Sequence, residues 1–330
     1  MVADILLSIL APILLLIGLG ALMQWKFRLD LNTLSKLNIY LFTPAFIFHN
    51  VYLSRLSWSD MTGVAAITVA QSLLLGVIVV VLGRMVNASR RTLAAVALAV
   101  MMYNSGNYGL PLAELAYPGR AATTAPAVVK DGGAVQAFVV MTMNIMTFTV
   151  GLAIAAYAGD GGARRAAKTI LQMPTVYALF AALAVRWWLQ GDPDRTVPIL
   201  VSKSAQYLAN GLVPMALVTL GAQLAKSPRW PDWRPIGAVI GLRLVFAPVL
   251  MTGMLWALHK AGAPPMLNLW PWPAELLILT AAVPTAVNTL LLTLELRGDA
   301  ELAADCVFWT TVASCVTITG WLVVLRVLAG

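Results

Sequence analysis

Asn104-Ser105-Gly106-Asn107-Tyr108-Gly109-Leu110-Pro111 interrupts an otherwise apolar run, and its reading decides the fold. Two glycines each weaken a helix by about 1 kcal/mol. The proline removes an N–H and clashes with the preceding turn, and it pushes the residue before it toward extended geometry. A regular helix is not expected to persist through this stretch. In hydrocarbon each unpaired backbone group costs several kcal/mol, so such a break survives only where protein or a watery cavity satisfies it.

Hydrocarbon is the relevant solvent for this chain. Its 330 residues are 60% hydrophobic and 11% charged, with a mean hydropathy of +0.83, whereas soluble domains carry about 25% charged residues. A spanning helix takes roughly 20 apolar residues. Hydropathy and loop punctuation place spans near 4–24, 33–53, 61–83, 92–116, 121–156, 169–189, 199–224, 235–258, 274–296 and 304–328. Ten such spans leave only loop-sized connections and no room for a soluble catalytic domain. The first, from Asp4 to Gln24, lacks a basic leader and a small-residue cleavage site and is read as a retained span.

The net charge of +8 does not point to nucleic acid, because the basic residues fall in short loops. Loops after odd-numbered spans hold thirteen Lys/Arg and the opposite side seven, with Lys130 and Arg243 inside spans. The positive-inside rule then puts both termini outside the cytoplasm of a multi-pass inner (plasma) membrane protein. Cys306 and Cys315 lie nine residues apart on one expected helix, about 13 Å along its axis. They cannot pair there, and no metal-ligand spacing occurs. No metal and no cofactor are expected, apart from coupling to a proton or sodium.

A second interrupted stretch, Ala281-Ala-Val-Pro284-Thr285-Ala-Val-Asn288, lies in the ninth span. Prolines also pair at a slowly drifting offset: Pro12 with Pro174 by 162 residues, Pro44 with Pro214 by 170, and Pro111 with Pro284 by 173. Trp25 and Trp187 follow the first offset. An odd number of spans per repeat inverts the second half, as in many secondary transporters. The expected fold class is therefore an all-α polytopic membrane protein with ten transmembrane helices. They would form two inverted five-helix repeats, residues 1–158 and 169–330, with broken helices four and nine. Pro111 and Pro284 are each expected in the first turn of a second half-helix, a position proline tolerates, with both positive dipole ends facing the membrane centre.

The run Asn104 to Leu112 and the run Ala281 to Asn288 resemble the auxin efflux carrier family in its short bacterial form, often described as malonate or malate permeases. Leu37 to Phe46 and Gly298 to Ala304 are similar to that family too. The resemblance implies that helices four and nine cross at Pro111 and Pro284. It also implies a scaffold of helices 1, 2, 6 and 7 (4–53 and 169–224) that forms a homodimer. Helices 3–5 and 8–10 (61–156 and 235–328) would be a transport unit with an elevator-like stroke. The large cytoplasmic loop of plant members is absent, since the Gly159 to Lys168 connection is short. A plant auxin substrate does not follow.

Several side chains are candidates for a small organic anion. Asn104, Asn107 and Asn288 offer amide donors and acceptors, or they hydrogen-bond the broken backbone. Tyr108 and Thr285 beside them serve either purpose, and Pro111 and Pro284 shape the breaks. Lys130 and Asp131 fall roughly nine residues into the fifth span, where intramembrane charge signals function, unless that span begins near Gly132. Arg243 is a substrate counter-charge or snorkels to the interface. Glu114, one turn after Pro111, suits a positive helix end and is a candidate proton carrier.

The leading expectation is a secondary transporter moving a small carboxylate by alternating access, with the anion and the lipid bilayer as partners. A sodium/proton antiporter is the alternative, although its chemistry would place carboxylates where asparagines stand. An intramembrane enzyme would need a nucleophile with a base, a metal set or a carboxylate pair. His49 and His259 are the two histidines, and no such constellation is visible.

Overall fold

The computed structural model describes residues 11–53, 57–117, 132–158, 174–189, 197–225, 231–295 and 298–329. These segments are helical nearly throughout. The first part comprises α1 (Ala11–Phe27), α2 (Leu31–Leu37), α3 (Thr43–Tyr52), α4 (Trp58–Met85), α5 (Arg90–Met101) and α6 (Leu110–Ala116). Next come α7 (Gly132–Met146), α8 (Leu152–Ala158), α9 (Pro174–Trp188) and α10 (Ile199–Leu224). The last are α11 (Trp233–Ile240), α12 (Ala247–Lys260), α13 (Ala274–Ala281), α14 (Val287–Glu295) and α15 (Ala300–Ala329). Single π-helical turns join α2 to α3, α7 to α8 and α11 to α12, and another, Ser105–Gly109, leads into α6.

The expected fold class needs correction. Among the described residues five helices are long and apolar enough to cross a membrane, not ten: Trp58–Met85, Gly132–Ala155, Ile199–Leu224, Trp233–Lys260 and Ala300–Val327. Nor do the observed elements resolve into two five-helix inverted repeats. The reason is physical: hydropathy counts apolar residues, whereas a span needs a continuous apolar helix. The stretches 92–116 and 274–296 are cut into helices of 12, 7, 8 and 9 residues. The α2–α3 segment carries Asn32, Thr33, Ser35, Lys36 and Asn38, and α9 has 15 residues.

Local chemistry explains several helix starts. Ser57 accepts from the Asp60 N–H while the Asp60 carboxylate accepts from the Ser57 N–H, a complete capping box for α4. Ser89 caps α5 through the Thr92 N–H.

Two groups of helices pack mainly among themselves. Helices α1, α3, α9 and α10 make one group. Where α1 crosses α10, Gly20 faces the Val218 carbonyl and Gly221 faces the Ile17 carbonyl so closely that a Cβ at either glycine would overlap that oxygen. Small residues of this kind let helix backbones approach in a membrane. The second group is built from α4–α8 and α11–α15. Its core is Ala- and Leu-rich around α5, α7 and α13, including Val100, Met102, Val135, Leu277 and Val283, all fully buried.

Candidate functional site

At both quoted stretches the backbone leaves helical geometry, and the two loose segments meet. The Asn104 N–H donates to the Pro284 carbonyl at 2.8 Å and the Ala286 N–H to the Met102 carbonyl at 2.9 Å. Tyr103 and Thr285 thus face each other across one antiparallel β-bridge.

Every peptide group spent on this bridge leaves a helical partner free, so the carbonyls must be accounted for. Within a helix the Asn104 N–H would have served Val100. Instead the Val100 carbonyl accepts from Arg243 Nη1 at 2.9 Å. The Thr285 N–H, which would have served Ala281, donates to Thr310 Oγ1 at 3.1 Å, and the Ala281 carbonyl accepts from Arg243 Nη2. Arg243 Nε completes the set on the Val283 carbonyl at 3.1 Å. The Ala99 carbonyl accepts from Thr285 Oγ1 at 2.8 Å. One planar guanidinium with its fixed fork of donors is suited to such a set of acceptors. Its carbon also lies 4.6 Å from the centroid of the Tyr103 ring, within cation–π range.

Gln136 provides a second tie. Its Nε2 donates to the Ser105 carbonyl at 2.9 Å while its Oε1 accepts from Thr280 Oγ1 at 2.7 Å, so one side chain joins the residues of both breaks. A Cβ at Gly109 would overlap Gln136 Nε2, so a side chain there would displace this tie.

Beside the bridge lies a cavity of about 70 Å³. One wall comes from the breaks and carries Tyr103, Asn104, Asn107 and Asn288, with Asn144 and Thr147 from the α7–α8 segment. The rest of the lining includes residues of the α2–α3 segment and α10, namely Ser35, Asn38, Thr43 and Gln223. The lining is neutral among the described residues, rich in amides and hydroxyls.

The candidate residues part company here. Asn104, Asn107 and Asn288 come together at the cavity. Thr285 is fully buried and holds the bridge rather than the cavity surface. Tyr108 is fully buried in the core, where its hydroxyl shares a 3.2 Å hydrogen bond with Ser314. Pro111 is buried in the first turn of α6, as expected. Pro284 is not in a first turn: it lies in the extended link, three residues before α14, with its carbonyl engaged by Asn104. Arg243 neither snorkels nor reaches the cavity, since it is fully buried and clamps carbonyls. Glu114 is half-buried on α6, its carboxylate packed against Gly133, where a Cβ would overlap it. Lys130 and Asp131 lie outside the described residues.

Sequence reasoning missed the Ser35, Asn38 and Gln223 wall. Their signal was polarity at the edges of apolar runs, which reads as interface or loop. Asn144 and Gln136 were visible as polar groups in an apolar span, and the structure separates them into cavity lining and structural tie.

The sequence is similar to those of transport proteins. The chain is 26% identical over 298 residues to an "Uncharacterized transporter" of Methanothermobacter thermautotrophicus, an alignment covering 90% of this chain and 89% of that one. It is 31% identical over 189 residues to a Rhizobium meliloti protein described as "Putative malonate transporter", covering 56% of this chain and 55% of that one. Among the described residues no group of His, Cys, Asp and Glu is placed to hold a metal ion. Residues 164–322 match the family described as "Membrane transport protein", a family-level match to non-enzymatic transport proteins.

Proposed function

We propose that this protein carries a small organic anion across the membrane, binding its carboxylate in the amide-lined cavity beside the paired breaks. The observation that carries the reading is Asn104. Its Oδ1 accepts from the Asn107 N–H at 3.1 Å, and a backbone N–H can only donate. The amide orientation is thereby fixed, and Nδ2 is a buried donor without a partner. A carboxylate oxygen supplies the missing acceptor. Behind it, the contacts of Arg243 among the described residues are carbonyl oxygens and the Tyr103 ring, so its positive charge has no carboxylate partner there. A buried positive charge one ring away from the cavity favours an anion in low dielectric.

The cavity lies between the two helix groups, which supports alternating access by movement of one group against the other. In this reading α1–α3, α9 and α10 are the scaffold, and the helices bearing the breaks form the moving unit. The malonate named for the Rhizobium meliloti relative fits a short carboxylate. At about 70 Å³ the cavity favours an acid of few carbons over an indole acid. A cation antiporter is disfavoured because its chemistry needs a carboxylate where the described lining has amides.

The test is binding and uptake of short carboxylates, including malonate and lactate, by the purified and reconstituted protein. Selective stabilisation by such anions, with saturable uptake, is the expected result, since a ligand of the native state raises apparent stability by mass action. Stabilisation by sodium alone, with no response to any anion, overturns the reading.

A further inference from the structure

We infer that Gly106 sets the size limit of the carried anion: the ligand packs against its bare backbone, and a side chain at this position would take the ligand's place. This rests on the anion reading above and adds which residue decides how large a molecule fits.

The fold itself does not ask for glycine at 106. Ser105–Gly109 is a π-helical turn, and Gly106 has no positive φ, so an ordinary L-residue adopts its backbone conformation. Packing does not ask for it either. A Cβ at Gly109 would overlap Gln136 Nε2, whereas a Cβ at Gly106 meets nothing within 4 Å. Glycine in a helical turn is less favourable than alanine, so the position gives up helix stability without any return in contacts within the protein. Close approach of backbone to a ligand is what such a glycine permits.

The open space at Gly106 belongs to the cavity. Among the described glycines with nothing within 4 Å of a Cβ, Gly106 is the one on the cavity lining, and it is partly exposed there. Asn107, Asn144 and Asn288 share that lining and are likewise partly exposed rather than sealed in the core. An anion held among these amides lies against the Gly106 backbone.

The turn is also unable to swing a new side chain aside. The Asn104 side chain accepts from the Asn107 N–H at 3.1 Å, and the Asn104 carbonyl accepts from the Gly109 N–H at 2.9 Å. The Ser105 carbonyl accepts from Gln136 Nε2 at 2.9 Å, and that of Gly106 from the Leu110 N–H. Hydrogen bonds thus fix the chain on both sides of Gly106. A methyl group held so would remove a large share of a cavity of about 70 Å³.

The experiment measures binding of oxalate, malonate, succinate and glutarate, each one methylene longer than the last, by calorimetry on the purified full-length protein. Gly106→Ala and Gly106→Val are compared with the unaltered protein. Gly253→Ala is the control, exposed on α12 with equally open space and outside the cavity lining. Gly106→Ala is expected to melt at or above the temperature of the unaltered protein. It should keep its affinity for the shortest acid bound within about threefold and lose about tenfold or more for the longest. Gly106→Val should bind every acid at least about tenfold more weakly while remaining folded, and Gly253→Ala should bind as the unaltered protein does. A Gly106→Ala protein that binds the whole series unchanged, or weakens every acid by the same factor, overturns the inference and leaves the anion reading standing. A marked fall in its melting temperature also overturns it, because the fold would then require the glycine. Binding of no acid by the unaltered protein removes the anion reading, and this inference with it.

Discussion

The Asn104 N–H donates to the Pro284 carbonyl at 2.8 Å, joining two breaks that lie 180 residues apart in the chain. The bond is short-range in space and costly in helix geometry, because it diverts a donor from Val100 and a carbonyl, that of Pro284, which a continuous helix would have paired within itself. Arg243 and Thr285 then supply the missing partners. The site and its structural support are one hydrogen-bond network, and its members differ in what their removal should do.

Arg243→Met should strip partners from three buried carbonyls at once. With about 1–3 kcal/mol for each group left unsatisfied, the loss is expected to exceed about 3 kcal/mol. Thermal unfolding in detergent should show a large drop or no folded protein. Arg243→Lys keeps the charge but has no planar fork, and should fall between the two. Equal stability of all three proteins would show that the carbonyl clamp does not hold the breaks.

Asn104→Asp tests the donor without disturbing the turn. A carboxylate still accepts from the Asn107 N–H, but the free position becomes an acceptor carrying negative charge. Carboxylate affinity should fall at least about a hundredfold, since repulsion is added to a lost hydrogen bond, while the melting temperature stays near that of the unaltered protein. Asn107→Ala and Asn288→Ala, on the cavity lining, should each weaken binding by about tenfold. Undiminished binding in all three variants would move the site elsewhere.

Gly221→Leu should separate α1 from α10, because the Ile17 carbonyl occupies the space of any Cβ there. Overpacking typically costs about 1–3 kcal/mol, and a clash with backbone belongs at the upper end. The readout is thermal stability of the purified variant. Gly18→Leu is the control on the same face of the problem, since nothing stands within 4 Å of its Cβ, and it should be close to neutral.

A bifunctional thiol reagent should arrest transport when it joins Asn38→Cys to Asn288→Cys in a protein whose Cys306 and Cys315 are replaced by Ala. The two positions line one cavity from different helix groups, and alternating access requires those groups to move against each other. Full transport after verified cross-linking would rule out relative motion of the two helix groups.

By itself the sequence determined the solvent, the helical class and the positions of the two breaks, because composition, glycine and proline act locally. The stretch Asn104 to Pro111 is broken in the structure for the reasons its residues announce. It did not determine how many helices are continuous spans, since apolar count over 92–116 and 274–296 hides the cuts within them. Nor did it show which polar residues share a surface. Asn38 and Asn104 meet across one cavity, while Tyr108, four residues beyond Asn104, points into the core toward Ser314. Arg243 looked like a charge in search of water or substrate, and only the fold reveals the three carbonyls it serves. Propensity is decided within a few residues along the chain. Partnership is decided by packing between segments far apart in sequence, and that belongs to the tertiary structure alone.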